Sequence, residues 1–298
     1  MPQDDPLASL ASSASSPPQA ADLARLRAEL DAIDDALLAD LTRRAAVVAE
    51  VAALKNGGFA WRPGREAAIL RRLLARTESP LARGVVVRVW REVLSGSLLQ
   101  QGPLGIAVCD PDRSFRLPRL ARDHFGGLVQ ERVHESPAQV LADIRSGLAR
   151  IGVLPPPAEE VAEREAWWTH LAAEQGRFAI AARLPFWRPA GEGGGAEAFA
   201  VAPLDPDPSG DDLSLFLLRF APETSRARLA DALGRAGFTL SRLVIRRPSG
   251  APAEALVGLE GYLSADDPRF TALAAALPLT DPPARLGAYA RPIEEEAP

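Results

Sequence analysis

The fold is decided by the stretch DLARLRAELDAIDDALLADLTRRAAVVAEVAALK, residues 22–55. A single helix over it would be roughly 50 Å long at 1.5 Å per residue. Two shorter helices cannot cover so long an apolar face, so we expect a second copy of the chain to cover it in a homodimer. The apolar residues recur at steps of three and four, the repeat of one helix face: Leu23, Leu26, Leu30, Ile33, Leu37, Leu41, Val48 and Val51.

Two shorter helices are predicted after this one. Asn56-Gly57-Gly58 is typical of a helix end, and Pro63 is typical of a helix start. The second helix is therefore predicted to run from Pro63 to about Arg76. A third is predicted over about residues 81–101, where Gly102-Pro103 closes the helical part.

Beyond the helical part the pattern changes to α/β, because short apolar runs at 104–109 and 151–154 bracket a helical stretch at 137–149. From residue 213 onward the predicted order is βαββαβ, typical of a ferredoxin-like domain. The region between them, 203–212, is predicted to be linker. We therefore predict a disordered tail (1–20), a helical domain (21–102), an α/β segment (103–203) and a βαββαβ domain (212–293).

Composition excludes several classes of protein. A net charge of −5 argues against a nucleic-acid binder, which needs a concentrated positive face. One cysteine and three scattered histidines offer no metal-ligand spacing, so we expect no metal. No run approaches 18 apolar residues, so we expect a cytoplasmic protein with no membrane partner.

Two cations interrupt the apolar series of the first helix. Arg44 and Lys55 keep its spacing and, being eleven residues apart, return to nearly the same side of the helix. Unpaired cations on a buried face are costly, so they should meet anions. Those anions could be Asp or Glu side chains elsewhere in the chain. Alternatively, the long aliphatic parts of the Arg44 and Lys55 side chains could let their charged ends reach solvent.

Other polar residues lie at related places. Arg27 lies on the flank of the same face, Arg65-Glu66 lies in the first turns of the second helix, and Ser97 and Gln101 are one turn apart on the third. Taken singly, each is a typical surface charge, surface pair or polar helix residue.

Taken together, these segments resemble the helical (type II) chorismate mutases. The resemblance implies a three-helix domain in an entwined dimer that rearranges chorismate to prephenate without a cofactor. It also implies that Arg44, Lys55, Arg65, Glu66, Ser97 and Gln101 line the site, with Arg27 supplied by the other subunit. The resemblance covers about 80 residues in five blocks: Leu26 to Leu38, Arg43-Arg44, Val51 to Lys55, Arg62 to Glu66 and Ser97 to Gln101.

The resemblance assigns a role to most of these residues. Arg27 and Arg44 would bind the substrate carboxylates, with Ser97 anchoring one of them. Lys55 and Gln101 would donate to the ether oxygen, and Glu66 would accept from the substrate hydroxyl. Two positions depart from the family: Arg62 stands where some members have an acidic residue, and Gly64 replaces the usual Glu. We expect Gly64 mainly to weaken the helix start.

The remainder resembles prephenate dehydratase followed by an ACT domain. The dehydratase likeness lies in Asp110 to Phe115 and Ala149 to Pro155, and the ACT likeness lies in Val244 to Pro248 and Leu286 to Tyr289.

The departures from those families are larger. Ala198-Phe-Ala-Val201 replaces the Thr-Arg-Phe signature, Pro156-Pro157-Ala158 replaces Glu-Asn-Ser, and about 100 residues are too few for the two lobes. We therefore expect a degenerate dehydratase-like segment without a second activity. Ile245-Arg-Arg-Pro248 replaces the Glu-Ser-Arg-Pro that helps bind phenylalanine, so we do not expect feedback by phenylalanine.

The leading hypothesis is a chorismate mutase whose degenerate extension serves dimerisation or regulation. The alternatives are a bifunctional chorismate mutase/prephenate dehydratase, a non-catalytic regulatory protein of the aromatic amino-acid pathway, and lyase chemistry on isochorismate.

Overall fold

The computed structural model describes residues 18–54, 59–159, 165–174, 176–191 and 195–295. The chain forms two compact units, Met1–Asn56 and Gly57–Pro298. Most of the predicted tail, residues 1–20, lies outside the described residues. Its last three residues, Pro18 to Ala20, belong to the first helix, so the prediction of disorder is wrong for them.

The first unit contains one long helix, α1 (Pro18–Leu54). Its 37 residues span about 55 Å, which confirms the helix predicted from the apolar repeat. Except at Val48, the large apolar side chains of this repeat are exposed, by 40% at Val51 and by 60% at Leu30. Where exposure is described in α1, the half-buried residues are Arg44, Val48 and Ala52.

The second unit begins with the other two predicted helices, α2 (Pro63–Leu74) and α3 (Arg83–Gln100). Apolar residues on one face of α2, among them Leu70 and Leu74, are fully buried. The predicted helix stop at Asn56-Gly57-Gly58 lies outside the described residues.

The α/β part follows within the same unit, and the strands and helix predicted at 104–109, 137–149 and 151–154 are confirmed with small shifts of their ends. Its elements are β1 (Gly105–Cys109), α4 (Arg116–Phe125), β2 (Gln130–His134), α5 (Pro137–Ser146), β3 (Ile151–Leu154), α6 (Trp167–Ala173), β4 (Ala179–Leu184), β5 (Trp187–Arg188) and β6 (Ala198–Ala202).

The predicted βαββαβ order is confirmed in the rest of the chain, with a short strand after it. The elements are β7 (Asp212–Phe220), α7 (Arg226–Arg235), β8 (Leu240–Arg246), β9 (Ala253–Glu260), α8 (Arg269–Ala276), β10 (Ala284–Ala290) and β11 (Ile293–Glu294).

The strands of these two parts join in one sheet. Within the described residues it has nine strands in the order β2-β1-β3-β6-β4-β10-β7-β9-β8. Strand β10 makes the junction, since it pairs antiparallel with β7 and parallel with β4. Strands β5 and β11 form a separate parallel pair. The segments predicted as 103–203 and 212–293 therefore share one sheet, and their boundaries as domains stay predictions.

Candidate functional site

Arg27 and Arg44, two of the predicted site residues, lie on α1. Arg27 is exposed, whereas Arg44 is half-buried on the side of the helix that also holds Val48 and Ala52. Burial lowers the pKa of Arg44 below its ordinary value. Lys55 lies outside the described residues. Arg44 is thus partly shielded from solvent, and its place in the site stays a prediction.

Arg65 and Glu66 are neighbours on α2 but point in different directions. Arg65 is exposed, whereas Glu66 is only 8% exposed. The carboxylate of Glu66 accepts a hydrogen bond from Nη1 of Arg91 on α3, at 3.1 Å. Arg91 is itself buried, and its guanidinium lies 5.4 Å from the ring centre of Phe186. Glu66 thus joins α2 to α3 in a buried ion pair.

Burial dominates the electrostatics of this pair. It raises the pKa of Glu66 to about 7, although the positive charge of Arg91 opposes the change. It likewise lowers the pKa of Arg91 to about 10, against the charge of Glu66. The pKa of nearby His124 falls well below its usual value, because that ring is buried and faces Arg91. The cavity between these groups holds about 10 Å³, room for one water molecule.

Ser97 and Gln101 lie one turn apart at the end of α3, and both are half-buried. The Ser97 hydroxyl donates to the carbonyl oxygen of Val93 at 2.7 Å. The Gln101 amide donates to the carbonyl oxygen of Ser97 at 2.8 Å. Both polar groups therefore use the backbone of their own helix, and either could exchange that bond for one to a ligand.

Asp207, in the connection between β6 and β7, holds the start of α2. Its carboxylate accepts hydrogen bonds from the backbone N–H groups of Gly64 at 3.1 Å and Arg65 at 3.0 Å. These are donors that a helix start leaves without partners inside the helix. Arg62 adds an ion pair to the same carboxylate at 3.4 Å. The segment predicted as linker is therefore attached to α2.

This contact accounts for both departures from the family pattern. A Cβ at position 64 would lie 2.2 Å from the carbonyl oxygen of Asp207, so the close approach requires glycine. The expectation that Gly64 mainly weakens the helix start is thus corrected, since its small size lets a carboxylate cap that start. Arg62 supports the same carboxylate.

The predicted residues fall into two groups. Arg27 and Arg44 lie in the first unit, and the four residues Arg65, Glu66, Ser97 and Gln101 lie in the second. Within the second unit, Ser97 and Gln101 are close neighbours along α3, while Arg65 and Glu66 face opposite environments.

Sequence reasoning missed Arg91 and Asp207. Arg91 follows Val87 by four residues and precedes Leu94 by three, so it interrupts an apolar helix face as Arg44 does, and the same argument could have found it. Asp207 had no local signal, because its partners lie more than 140 residues away in the chain.

The described residues contain no group of three or more His, Cys, Asp or Glu side chains placed to hold a metal ion. A helix long and apolar enough to cross a bilayer is likewise absent from the part of the chain that the structure describes.

In a comparison with known proteins, residues 26–102 match the model of the family described as "Chorismate mutase type II". This confirms the resemblance inferred from the five sequence blocks. A curated relative from Stutzerimonas stutzeri, named "Bifunctional chorismate mutase/prephenate dehydratase", is 28% identical over 144 residues, covering 46% of this chain and 39% of the relative. The chain thus spans about two fifths of the length of that relative.

Two solved structures show weaker likeness. One, titled "GqqA- a novel type of quorum quenching acylases", is 16% identical with a TM-score of 0.46, covering 62% of this chain and 94% of that one. Prephenate dehydratase from Arthrobacter aurescens, in complex with L-Phe, is 14% identical with a TM-score of 0.43, covering 63% and 90%. At this level of similarity neither bears on function.

Proposed function

We propose that this chain is a chorismate mutase, which rearranges chorismate to prephenate. The observation that carries the proposal is the type II match over residues 26–102, since that segment contains all seven predicted site residues. The sequence order of these residues, from Arg27 to Gln101, is the one that the resemblance requires.

The chemistry suits the residue types. Chorismate is a dianion that rearranges within one molecule, so the protein must hold a compact conformer and stabilise charge on the breaking ether oxygen. Guanidinium groups bind carboxylates through two parallel hydrogen bonds, a task assigned to Arg27 and Arg44. Lys55 and Gln101 would donate to the ether oxygen, Ser97 would anchor a carboxylate, and Arg65 would line the site. No cofactor or metal takes part.

The positions of Arg44 and Gln101 support these roles. Arg44 is half-buried on the apolar side of α1, and its guanidinium can bind a substrate carboxylate through two parallel hydrogen bonds. Gln101 and Ser97 are half-buried on one side of α3, and both side chains carry neutral polar groups that can hydrogen-bond to substrate. Glu66 differs, because it is buried and one of its carboxylate oxygens already accepts from Arg91, so the substrate hydroxyl would donate to a remaining acceptor position.

The proposed enzyme is an entwined homodimer in which Arg27 of the partner subunit completes the site. The exposed apolar row of α1 supports this arrangement, since its large side chains need a cover. The ACT-like part, together with the dehydratase-like segment, would serve dimerisation or regulation. We expect the enzyme to act in the cytoplasm.

A bifunctional mutase and dehydratase is the second candidate, favoured by the name of the relative from Stutzerimonas stutzeri. The segment that stands where a dehydratase has its Thr-Arg-Phe signature argues against the bifunctional enzyme. That segment is strand β6 (Ala198–Ala202), in which every residue is apolar and buried. Such a strand offers no hydroxyl or guanidinium for dehydration.

The test measures the loss of chorismate absorbance in the presence of the purified chain. The product is then treated with acid, which converts prephenate to phenylpyruvate, and is compared with a sample that receives no acid. Phenylpyruvate only after acid supports a mutase alone, and phenylpyruvate without acid supports the bifunctional enzyme. A folded chain that leaves chorismate unchanged would instead favour a regulatory protein. Arg44→Ala should lose activity, whereas Arg43→Ala should keep it, because Arg43 is exposed and pairs with Asp40 at 3.0 Å.

A further inference from the structure

An open cavity of about 590 Å³ lies in the second unit, where the end of β10 meets the starts of β7 and β8. Its volume falls within the roughly 300–1,000 Å³ of small-molecule sites. The residues proposed for the mutase site do not line it. Its charged lining residues are Arg71, Arg183, Arg242, Arg291, Asp211 and Glu294.

The lining has more positive than negative charge, with four arginines against two carboxylates. On one side, Asp211 pairs with Arg291 at 3.0 Å and lies 3.8 Å from Arg71. Glu260, which is not among the lining residues, also pairs with Arg291, at 3.1 Å. That side of the cavity is therefore close to neutral.

The other side is not neutral. A single carboxylate, Glu197, contacts three guanidinium groups: Arg183 at 2.5 Å, Arg188 at 2.9 Å and Arg242 at 3.4 Å. All four side chains are less than a quarter exposed. Glu294 lies close enough to Arg183 to raise the pKa of that arginine slightly. Among the described residues, Glu294 forms no salt bridge with Arg188 or Arg242. Partly buried like charges repel, so this cluster favours a further anion.

Arg242 is the group best placed to bind such an anion. Its contact with Glu197 is long, at 3.4 Å, and its guanidinium lies over the ring of Phe199, 5.6 Å from the ring centre. A planar guanidinium matches a carboxylate through two parallel hydrogen bonds. The rest of the lining includes Pro292 and Ile293, which are half-buried and offer an apolar surface to a ring.

We propose that this cavity binds a small cyclic organic acid, with a carboxylate held by Arg183 and Arg242 and its ring against Pro292 and Ile293. The site is separate from the proposed mutase site, and the proposal does not depend on mutase activity.

The test is calorimetric titration of the full chain at low ionic strength. The probes are isophthalate, which carries two carboxylates on a ring, benzoate with one, and neutral benzamide. We expect isophthalate to bind with one-to-one stoichiometry, benzoate to bind more weakly and benzamide not to bind. Arg242→Gln should weaken isophthalate binding at least about tenfold, while Arg72→Gln on the exposed face of α2 should leave it unchanged.

A second variant guards against misfolding of the first. Ser241→Trp fills the cavity from its exposed rim and should abolish binding while circular dichroism and the unfolding temperature stay near the wild-type values. The proposal is overturned if neither acid binds, if both variants bind isophthalate as the wild type does, or if inorganic phosphate binds more tightly than the ring acids.

Discussion

The carboxylate of Asp207 caps the start of α2 by accepting a hydrogen bond from the backbone N–H of Gly64, at 3.1 Å. The backbone carbonyl oxygen of Asp207 would lie only 2.2 Å from a Cβ on residue 64. The carboxylate lies at the positive end of the helix dipole, which stabilises the charge. The connection between β6 and β7 is thereby fixed to the helix that carries Arg65 and Glu66. This contact requires glycine at position 64, because a side chain there would clash with the backbone of Asp207.

Gly64→Ala should therefore destabilise the second unit, although alanine is the better helix former. The added methyl group meets backbone atoms of Asp207, and such overpacking costs about 1–3 kcal/mol. Urea unfolding would measure the change. Gly96→Ala on α3 is the matched control, because a Cβ there meets nothing within 4 Å, and it should stabilise by up to about 1 kcal/mol. Equal effects of the two substitutions would contradict the contact.

The ion pair between Glu66 and Arg91 predicts a second effect on stability. Glu66→Gln weakens the bond to the buried Arg91 and should cost about 1–3 kcal/mol near neutral pH, because a carboxyl with a pKa of about 7 is only partly ionised there and Gln can still accept a hydrogen bond. Replacing both partners, as Glu66→Leu with Arg91→Met, should recover most of this loss because no buried charge remains. Chemical denaturation of the single and double variants gives the two values. A double variant as unstable as Glu66→Gln would show that the loss has another cause.

Asp143 on α5 predicts how stability depends on pH. Burial alone would raise the pKa of Asp143, but hydrogen bonds from His134 at 2.7 Å and Arg132 at 2.8 Å lower it below its ordinary value. A lowered carboxyl pKa stabilises the fold above the unfolded-state pKa of 3.8 and loses that contribution as pH falls through the folded-state value.

The free energy of unfolding should thus fall below about pH 4 more steeply in the wild type than in Asp143→Asn. At neutral pH the variant should be less stable by about 1 kcal/mol, a modest value because Arg132 is half-exposed. Denaturation midpoints across this pH range supply the comparison. Parallel curves would refute the role of this carboxylate.

The sequence predicted elements better than connections. Periodicity located α1, α2 and α3, and alternating strand and helix signals located the βαββαβ order, because each of these depends on neighbours along the chain. The junction of β10 with β4 had no such signal, since register between distant strands depends on packing. The same holds for the cap that Asp207 places on α2.

The candidate site was predicted unevenly for a related reason. Arg44 stood out because a cation on an apolar helix face needs an explanation, and the structure places it half-buried. Glu66 was assigned to the site by resemblance alone, and its buried bond to Arg91 was not foreseen. A contact between residues of two helices can be predicted from the sequence only when both residues interrupt an apolar helix face.

The exposed apolar row of α1 predicts dimerisation through this helix. Leu30 and Leu37 lie on nearly the same side of α1, and each is more than half exposed in one chain. Replacing both with Glu should convert the dimer to monomer, because burying each leucine contributes about 1.5–3 kcal/mol. Light scattering during size-exclusion chromatography would report the mass.

Ala32→Glu with Ala39→Glu is the control for that experiment. These alanines lie on the opposite side of α1, so the same two charges should leave the dimer intact. A wild-type chain that is monomeric at every concentration, or a control as dissociated as the leucine variant, would refute pairing through this face.

Proton NMR of chorismate turnover by the full-length chain tests the proposed function most directly, because it identifies substrate and product in one sample. We predict that chorismate is replaced by an equal amount of prephenate, and that Lys55→Ala, which removes the proposed donor to the ether oxygen, slows this at least about a hundredfold. Chorismate that disappears no faster with the folded wild-type chain than without it would contradict the assignment.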